Sequence, residues 1–171
     1  GGAMIATSVD SSTTDDGTNN IQLTTSSGAI GAASINAGGQ NDVTLTAAGA
    51  ITDDGDDDTN VIADVLTAAA GGAITLDTKV ADATIITTQI GDIQIDESDA
   101  ITLRSVVSHD GGITVDSAGQ MIVTSVDASS ANHGANTVTL TTTVGDLSVV
   151  SINAGNQNDV VLTVTAGFIT E

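Results

Sequence analysis

The 171-residue sequence contains no cysteine, proline, tryptophan or tyrosine, and Phe168 is its only aromatic residue. The lack of cysteine is compatible with export and gives no evidence of a disulfide framework. A β-sandwich core of this size usually needs large rings, so the composition argues against an immunoglobulin-type domain. A solenoid has no such requirement, because its thin core is filled by stacked aliphatic side chains.

Basic residues are almost absent as well. Lys79 and Arg104 stand against 22 acidic residues, which gives a formal net charge of −20. Nucleic-acid binding is excluded, since phosphate backbones need cationic neutralisation, and an anionic bilayer surface would repel the chain. No stretch approaches the ~20 apolar residues that a membrane span requires, so we predict no membrane insertion.

A long internal repeat is the most informative feature that is present. Residues 4–53 align with residues 121–171 at an offset of 117, and one extra residue near Val164 shifts the offset to 118. We therefore divide the chain into residues 4–120, one complete long repeat of about six coils, and residues 121–171, a partial second copy continuous with the same solenoid. Residues 1–3 resemble an expression remnant. We expect the chain to be a piece of a longer array.

A shorter period lies inside the long repeat. Apolar runs begin near residues 4, 20, 42, 61, 82, 100, 120, 137 and 159, with a mean step near 19.5 residues across the long unit. Within each run apolar residues alternate with threonine, as in Val43-Thr44-Leu45-Thr46, which is the period of a β-strand. The sequence therefore predicts an all-β, single-stranded parallel β-helix with coils of about 20 residues, nine in total.

Two kinds of loop recur in both copies. Residues 11–19 and 128–136 fill a slot where a second strand is expected, and NAGGQN at 36–41 matches NAGNQN at 153–158. We expect the longer loop to leave the rod at the same place every sixth coil.

The chain resembles the repeat regions of giant bacterial secreted and surface proteins, of the filamentous-haemagglutinin-like β-helical adhesin type. The resemblance rests on the strand openings GAITD and GDIQI, the arc NDVTLTAAGAI, and the Thr/Ala/Gly/Asp bias. It implies a right-handed parallel β-helix, export to the cell surface or medium, and a role as a stalk or adhesive fibre. It supplies no functional residues.

The densest acidic run, DDGDDDTN at 53–60, is the candidate metal site. Asp54, Asp56 and Asp58 have the alternate spacing that lets carboxylates converge on calcium, which takes six to eight oxygen ligands. The run is not an EF-hand, because Thr59 and Val65 stand where that loop needs Gly and a bidentate acid. A solvated acidic turn explains the same residues, and Asp15-Asp16 and the acids within 96–99 are weaker versions.

Catalysis finds little support, so we predict that the chain is not an enzyme. A β-helical carbohydrate-binding or carbohydrate-cleaving protein would need paired carboxylates or sugar-stacking rings, and Arg104 is the only basic candidate of the lyase kind. His109 and His133 are too far apart for a metal-binding spacing. Ice binding through Thr-x-Thr pairs is a further alternative, although threonine is also the ordinary outward residue of a strand.

The sequence thus favours a structural stalk or spacer of an exported adhesin-like protein, which mediates adhesion or cell–cell contact by extension and loop display. A calcium-stiffened extracellular module is the second interpretation, and no cofactor is otherwise required. The expected partners are neighbouring repeats of the parent protein and a cell-surface or carbohydrate ligand. End-to-end self-association is also expected, because a solenoid end exposes strand edges.

Overall fold

In the computed structural model, which describes residues 2–130 and 136–171, the chain is a parallel β-solenoid of about seven turns with about 22 residues per turn. No helix occurs within those residues. The predicted all-β solenoid is confirmed. The turns number about seven rather than nine, so a rise of ~4.8 Å per turn gives a rod ~34 Å long. The right-handed sense stays a prediction of the resemblance.

The described strands belong to one parallel sheet wound about the axis. They are β1 (Met4–Ala6), β2 (Val9–Asp10), β3 (Ile21–Thr25), β4 (Ile30–Ala32), β5 (Ile35–Asn36), β6 (Val43–Ala47), β7 (Ile51–Thr52), β8 (Val61–Ala70), β9 (Ile74–Ile90), β10 (Ile93–Glu97), β11 (Ile101–Asp110), β12 (Ile113–Ser117), β13 (Met121–Val123), β14 (Val126–Asp127), β15 (Val138–Thr142), β16 (Leu147–Val149), β17 (Ile152–Asn153), β18 (Val160–Val164) and β19 (Ile169–Thr170).

Each turn passes along two sides, which the strand registers define. Side one carries the column Met4, Ile30, Ile51, Ile74, Ile93, Ile113, Val138 and Val160. Side two carries the column Ile21, Val43, Leu66, Ala83, Leu103, Val123 and Val149. We call the passage from side one to side two the first corner, and the passage back the second corner.

The core is one aliphatic column along the axis. Strands alternate buried and more exposed positions, as in β6, where Val43, Leu45 and Ala47 are buried between outward-facing threonines. Val, Ile and Thr suit this surface because branching at Cβ favours extended geometry. Burial of each large aliphatic side chain contributes ~1.5–3 kcal/mol, and the inter-turn ladder satisfies the backbone. The apolar-inward alternation therefore sets both the strands and their facing.

The two copies of the sequence repeat occupy opposite sides. In the first copy a bent pair of short strands, β1 and β2, lies on side one and the straight strand β3 lies on side two. In the second copy the bent pair, β13 and β14, lies on side two and the straight strand β15 lies on side one. Met121 begins the second copy within the sixth turn counted from Met4, part-way round the solenoid.

This exchange corrects the expected placement of the loops. The loop at 11–20 follows β2 at the first corner, whereas its counterpart after Asp127 precedes β15 at the second corner. The longer loop therefore does not leave the rod at the same place in each copy. The physical reason is that the step from Met4 to Ile21 crosses from side one to side two within a single turn, so the six steps of the long repeat do not amount to six complete turns.

Candidate functional site

The acidic loop, residues 53–60, projects from side one between β7 and β8. Local hydrogen bonds shape it, because the Asp53 Oδ1 accepts from the Gly55 amide at 3.0 Å and the Asp56 Oδ1 accepts from the Asp58 amide at 3.0 Å. Such Asx turns are a common use of aspartate in loops. Gly55 has φ of 84°, a conformation that glycine adopts without strain.

The predicted calcium ligands lie in this loop and are exposed. The Asp54 Oδ1 accepts from the Asn60 Nδ2 at 3.3 Å, which ties the loop to a buried amide at its base. Within the described residues, no three His, Cys, Asp or Glu side chains are grouped so that they could hold a metal ion. Calcium binding by Asp54, Asp56 and Asp58 stays a prediction.

A ladder of aspartates beside the loop escaped the sequence analysis. Asp77, Asp96 and Asp116 are register partners in three successive turns and point outward from side one. A cleft of about 150 Å³ lies between this acidic ladder and the loop, lined by Asp57, Thr59, Asp77, Thr78, Asp96 and Ser98. The signal was present as the strings TLD, QID and TVD, which recur at the spacing of one turn.

Crowded negative charge marks the acidic ladder. Desolvation raises the pKa of Asp77, and the carboxylates of Asp53 and Asp96 raise it further. Desolvation likewise raises the pKa of Asp96, with added repulsion from Asp116 and Asp57. Like charges disfavour ionisation of their neighbours, so a proton or a bound cation would reduce the repulsion between these carboxylates.

Glu97 is an acid inside the core. Its side chain is fully buried in the column that also holds Thr78 and Ser117. The Oε2 atom accepts from the Thr78 hydroxyl at 2.8 Å and from the Val80 amide at 3.1 Å, while the Asp99 amide donates to Oε1 at 3.1 Å. Burial raises the pKa of Glu97 to about 7. The alternation Ile93, Ile95, Glu97 could have identified it as inward-facing.

Arg104, the basic candidate of the lyase kind, is held in an ion pair. The Arg104 Nη2 lies 2.7 Å from the Asp82 Oδ2 in an ion pair, with the arginine side chain 59% exposed. Lys79 and His109 are exposed on the surface. His133 lies outside the described residues.

The Thr-x-Thr pairs fall on different sides of the rod. Thr44 and Thr46 lie on side two in β6, whereas Thr139 and Thr141 lie on side one in β15. On side one the neighbours of Thr139 and Thr141 in the preceding turn are Thr114 and an aspartate, so the pair is not repeated. This arrangement adds nothing in favour of ice binding.

The comparisons with known proteins supply no family. No protein-family model, curated protein or solved structure matches the chain. Within the described residues, no helix has the length and apolarity needed to cross a bilayer.

Proposed function

We propose that this chain is a structural spacer: a stalk segment of a large exported, adhesin-like bacterial protein of the secreted or cell-surface type. Its work is extension and stiffness, and its loops are the parts displayed for adhesion or cell–cell contact. The observation that carries the proposal is the unbroken side-one column, in which Met4 and Val160 are joined by consecutive parallel register contacts.

That column supports stiffness by a simple physical argument. Each turn buries its apolar residues against the turns above and below, so bending the rod would open contacts in a continuous core. The hydrophobic cluster extends from Ala6 to Ala154 without division into separate cores. The net charge of −20 keeps such a rod solvated and limits lateral association. Chemistry is not needed for this role.

Small-angle X-ray scattering tests the spacer directly. The chain should scatter as a rod, and a tandem of two chains that continues the repeat in register should have close to twice the maximum dimension. A matched tandem joined by a flexible Gly/Ser linker is the control, because it should show a broad distribution of dimensions. A register-matched tandem no more extended than this control would overturn the proposal.

A calcium-stiffened module is the second candidate, and the acidic ladder beside the acidic loop is the observation that favours it. Desolvation, followed by repulsion from neighbouring carboxylates, raises the pKa values of Asp77 and Asp96, and a divalent cation in the cleft would offset that repulsion. A ligand that binds only the folded state raises the melting temperature. We expect millimolar calcium to raise the melting temperature relative to EDTA, and coincident melts would remove this candidate.

Two variants separate the possible calcium ligands. The triple variant Asp54→Ala, Asp56→Ala, Asp58→Ala removes the predicted set, and the double variant Asp77→Asn, Asp96→Asn removes the ladder. Asp146→Asn, on the distant second copy, is the charge control. Loss of a calcium-dependent shift in the triple variant alone would support the sequence prediction, and loss in the double variant alone would assign binding to the ladder.

End-to-end association is the proposed mode of contact between copies of the chain. Val160 and Ile169 are 45% and 52% exposed, whereas their first-copy counterparts Val43 and Ile51 are buried beneath the next turn. The last turn therefore presents a surface that elsewhere in this fold is covered by another turn. A second copy of the chain offers strands of the same type.

A further inference from the structure

The turn that begins at Asn36 and its second copy, which begins at Asn153, have the same local structure. In the first copy the Asn36 Oδ1 accepts from the Gly38 amide at 3.0 Å, and in the second the Asn153 Oδ1 accepts from the Gly155 amide at 3.1 Å. Both glycines have φ in the left-handed region, 89° and 82°. The sequence match therefore reflects a conserved turn geometry within this chain.

The contacts between adjacent turns are also reproduced. The Asn41 Oδ1 accepts from the Asn19 amide at 3.1 Å, and the Asn158 Oδ1 accepts from the Asn136 amide at 3.1 Å. The Nδ2 atoms of Asn41 and Asn158 also donate to the carbonyls four residues earlier, those of Ala37 and Ala154. In the first copy the Asp15 carboxylate also accepts from the Gly39 and Gln40 amides, and in the sequence of the second copy Asn132 stands in its place.

The loop pairs nevertheless lie at opposite corners. The first pair joins β2 to β3 and β5 to β6, which places it at the first corner. The second pair joins β14 to β15 and β17 to β18, which places it at the second corner. Two irregularities lie between the copies, at the places where the two sides change from one strand type to the other.

The first irregularity is the acidic loop, which marks the last bend on side one. β7 ends just before the loop and its last residue pairs with Thr75, and β8 starts just after the loop with its first residue paired with Thr78. Both partners belong to β9, which passes over the loop in the next turn as one straight strand. Below this loop side one holds bent pairs, and above it side one holds the straight strands β10, β12 and β15.

The second irregularity is a bulge at Arg104 on side two. Leu103 pairs with Ala83 and Ser105 pairs with Thr84, so Arg104 is the extra residue. A bulge bends its strand and changes the local twist. In the following turn Leu103 pairs with Val123 and Val106 with Val126, with the new bend between them. The bulge therefore begins the bent pair on side two.

We propose that the 117-residue repeat advances the solenoid by about five and a half turns, so that successive copies present the same loop pair on opposite sides of the rod. Two copies then complete about eleven turns, and a third returns to the first side. A rod built this way displays the turn alternately toward two opposite directions.

Double electron–electron resonance on the intact chain tests the proposal. The chain has no cysteine, so spin labels attach only at introduced sites. Gln40→Cys and Gln157→Cys label the two counterpart loops, and both positions are exposed. Gln40→Cys with Val144→Cys is the control pair, because Val144 follows β15 at the first corner about five turns above Gln40. Circular dichroism of each variant confirms that it folds.

The two pairs give distinguishable distances. Five turns at ~4.8 Å separate the control labels by ~24 Å along the axis. The counterpart loops are separated by a similar axial distance and, at right angles to it, by the width of the rod. A five-residue strand at ~3.3 Å per residue makes that width ~17 Å or more. We expect the Gln40–Gln157 distance to exceed the control distance by roughly 5–10 Å. Equal distances would place both loops at one corner and overturn the proposal.

Discussion

Met4 and Val138 lie in one column of side one, six register steps apart. By sequence, however, the counterpart of Met4 is Met121, which lies on side two. The chain therefore builds one continuous core from two copies of a sequence that are out of phase with its turns. Both sides accept either a bent pair or a straight strand, because each places apolar side chains at equivalent inward positions.

Core truncation should be costly and outward truncation should not. Leu45→Ala removes a fully buried side chain between two turns, and we expect a loss of ~2–5 kcal/mol in the free energy of unfolding. Thr46→Ala, the outward-facing neighbour, is the matched control, with an expected change within ~0.5 kcal/mol. Urea denaturation followed by circular dichroism measures both. Similar losses for the two variants would contradict the inward and outward assignment.

Much of this fold follows from sequence pattern, and one feature does not. The alternation of Val43, Leu45 and Ala47 with threonines predicts the strands and their facing. The side on which a run lies cannot be read from the pattern, because straight strands and bent pairs carry the same residue types on either side. Side two first departs from a straight strand at the extra residue Arg104, and one extra residue changes the spacing no more than ordinary loop variation does.

The candidate site was predictable in part for a similar reason. The acidic run at 53–60 is visible in one line of sequence. The ladder of Asp77, Asp96 and Asp116 is formed by residues 19 or 20 positions apart, so its grouping depends on the register between turns. Glu97 was grouped with neighbouring acids although its place in the alternation with Ile93 and Ile95 points it inward. Composition identified the acids, and register decided which of them share a surface.

Glu97 should make stability depend on pH. Its pKa is raised to about 7 in the folded protein, so the folded state binds a proton more tightly than the unfolded chain does. The stabilising contribution is full below the unfolded pKa of ~4.5 and is lost as pH rises through about 7. Asp99 is the titratable group that faces it. We expect the melting temperature to fall between pH 5 and pH 8.

Glu97→Gln isolates this group from the general effect of the net charge. The variant should be more stable than the parent at pH 8, by an amount on the order of 2 kcal/mol, and should show a weaker pH dependence. Glu171→Gln removes one charge at the exposed end of the chain and serves as the control. If both variants followed the parent's pH profile, Glu97 would have no special part in it.

The ion pair between Arg104 and Asp82 should contribute little. Its arginine is mostly exposed, and exposed pairs are typically worth less than ~1 kcal/mol. A double-mutant cycle with Arg104→Ala, Asp82→Ala and the combined variant should give a coupling energy below that value, further reduced by salt. A coupling well above ~1 kcal/mol would contradict this expectation.

Self-association should depend on the end face of the rod. Val160 occupies the inward-facing position of the last turn on side one, whereas Val161 occupies the neighbouring outward-facing position. Val160→Lys should abolish concentration-dependent association, because a charge at a strand edge blocks pairing. Val161→Lys adds the same charge on the side surface and should have a smaller effect. Sedimentation velocity at ~0.15 M salt decides, and a parent chain that stays monomeric at every concentration would contradict end-to-end contact.

Disulfide trapping between neighbouring turns tests the exchange of sides most directly. Adjacent parallel strands lie ~4.8 Å apart, within the Cα range that a disulfide spans. Ile122 is the register partner of Ser148, and both occupy outward positions on side two. The pair Ile122→Cys, Ser148→Cys should therefore cross-link under mild oxidation, and the pair Ile122→Cys, Thr139→Cys should not, because Thr139 lies on side one. If the second pair cross-linked and the first did not, Met121 and Val138 would begin successive turns, and the second copy would stack in phase with the first.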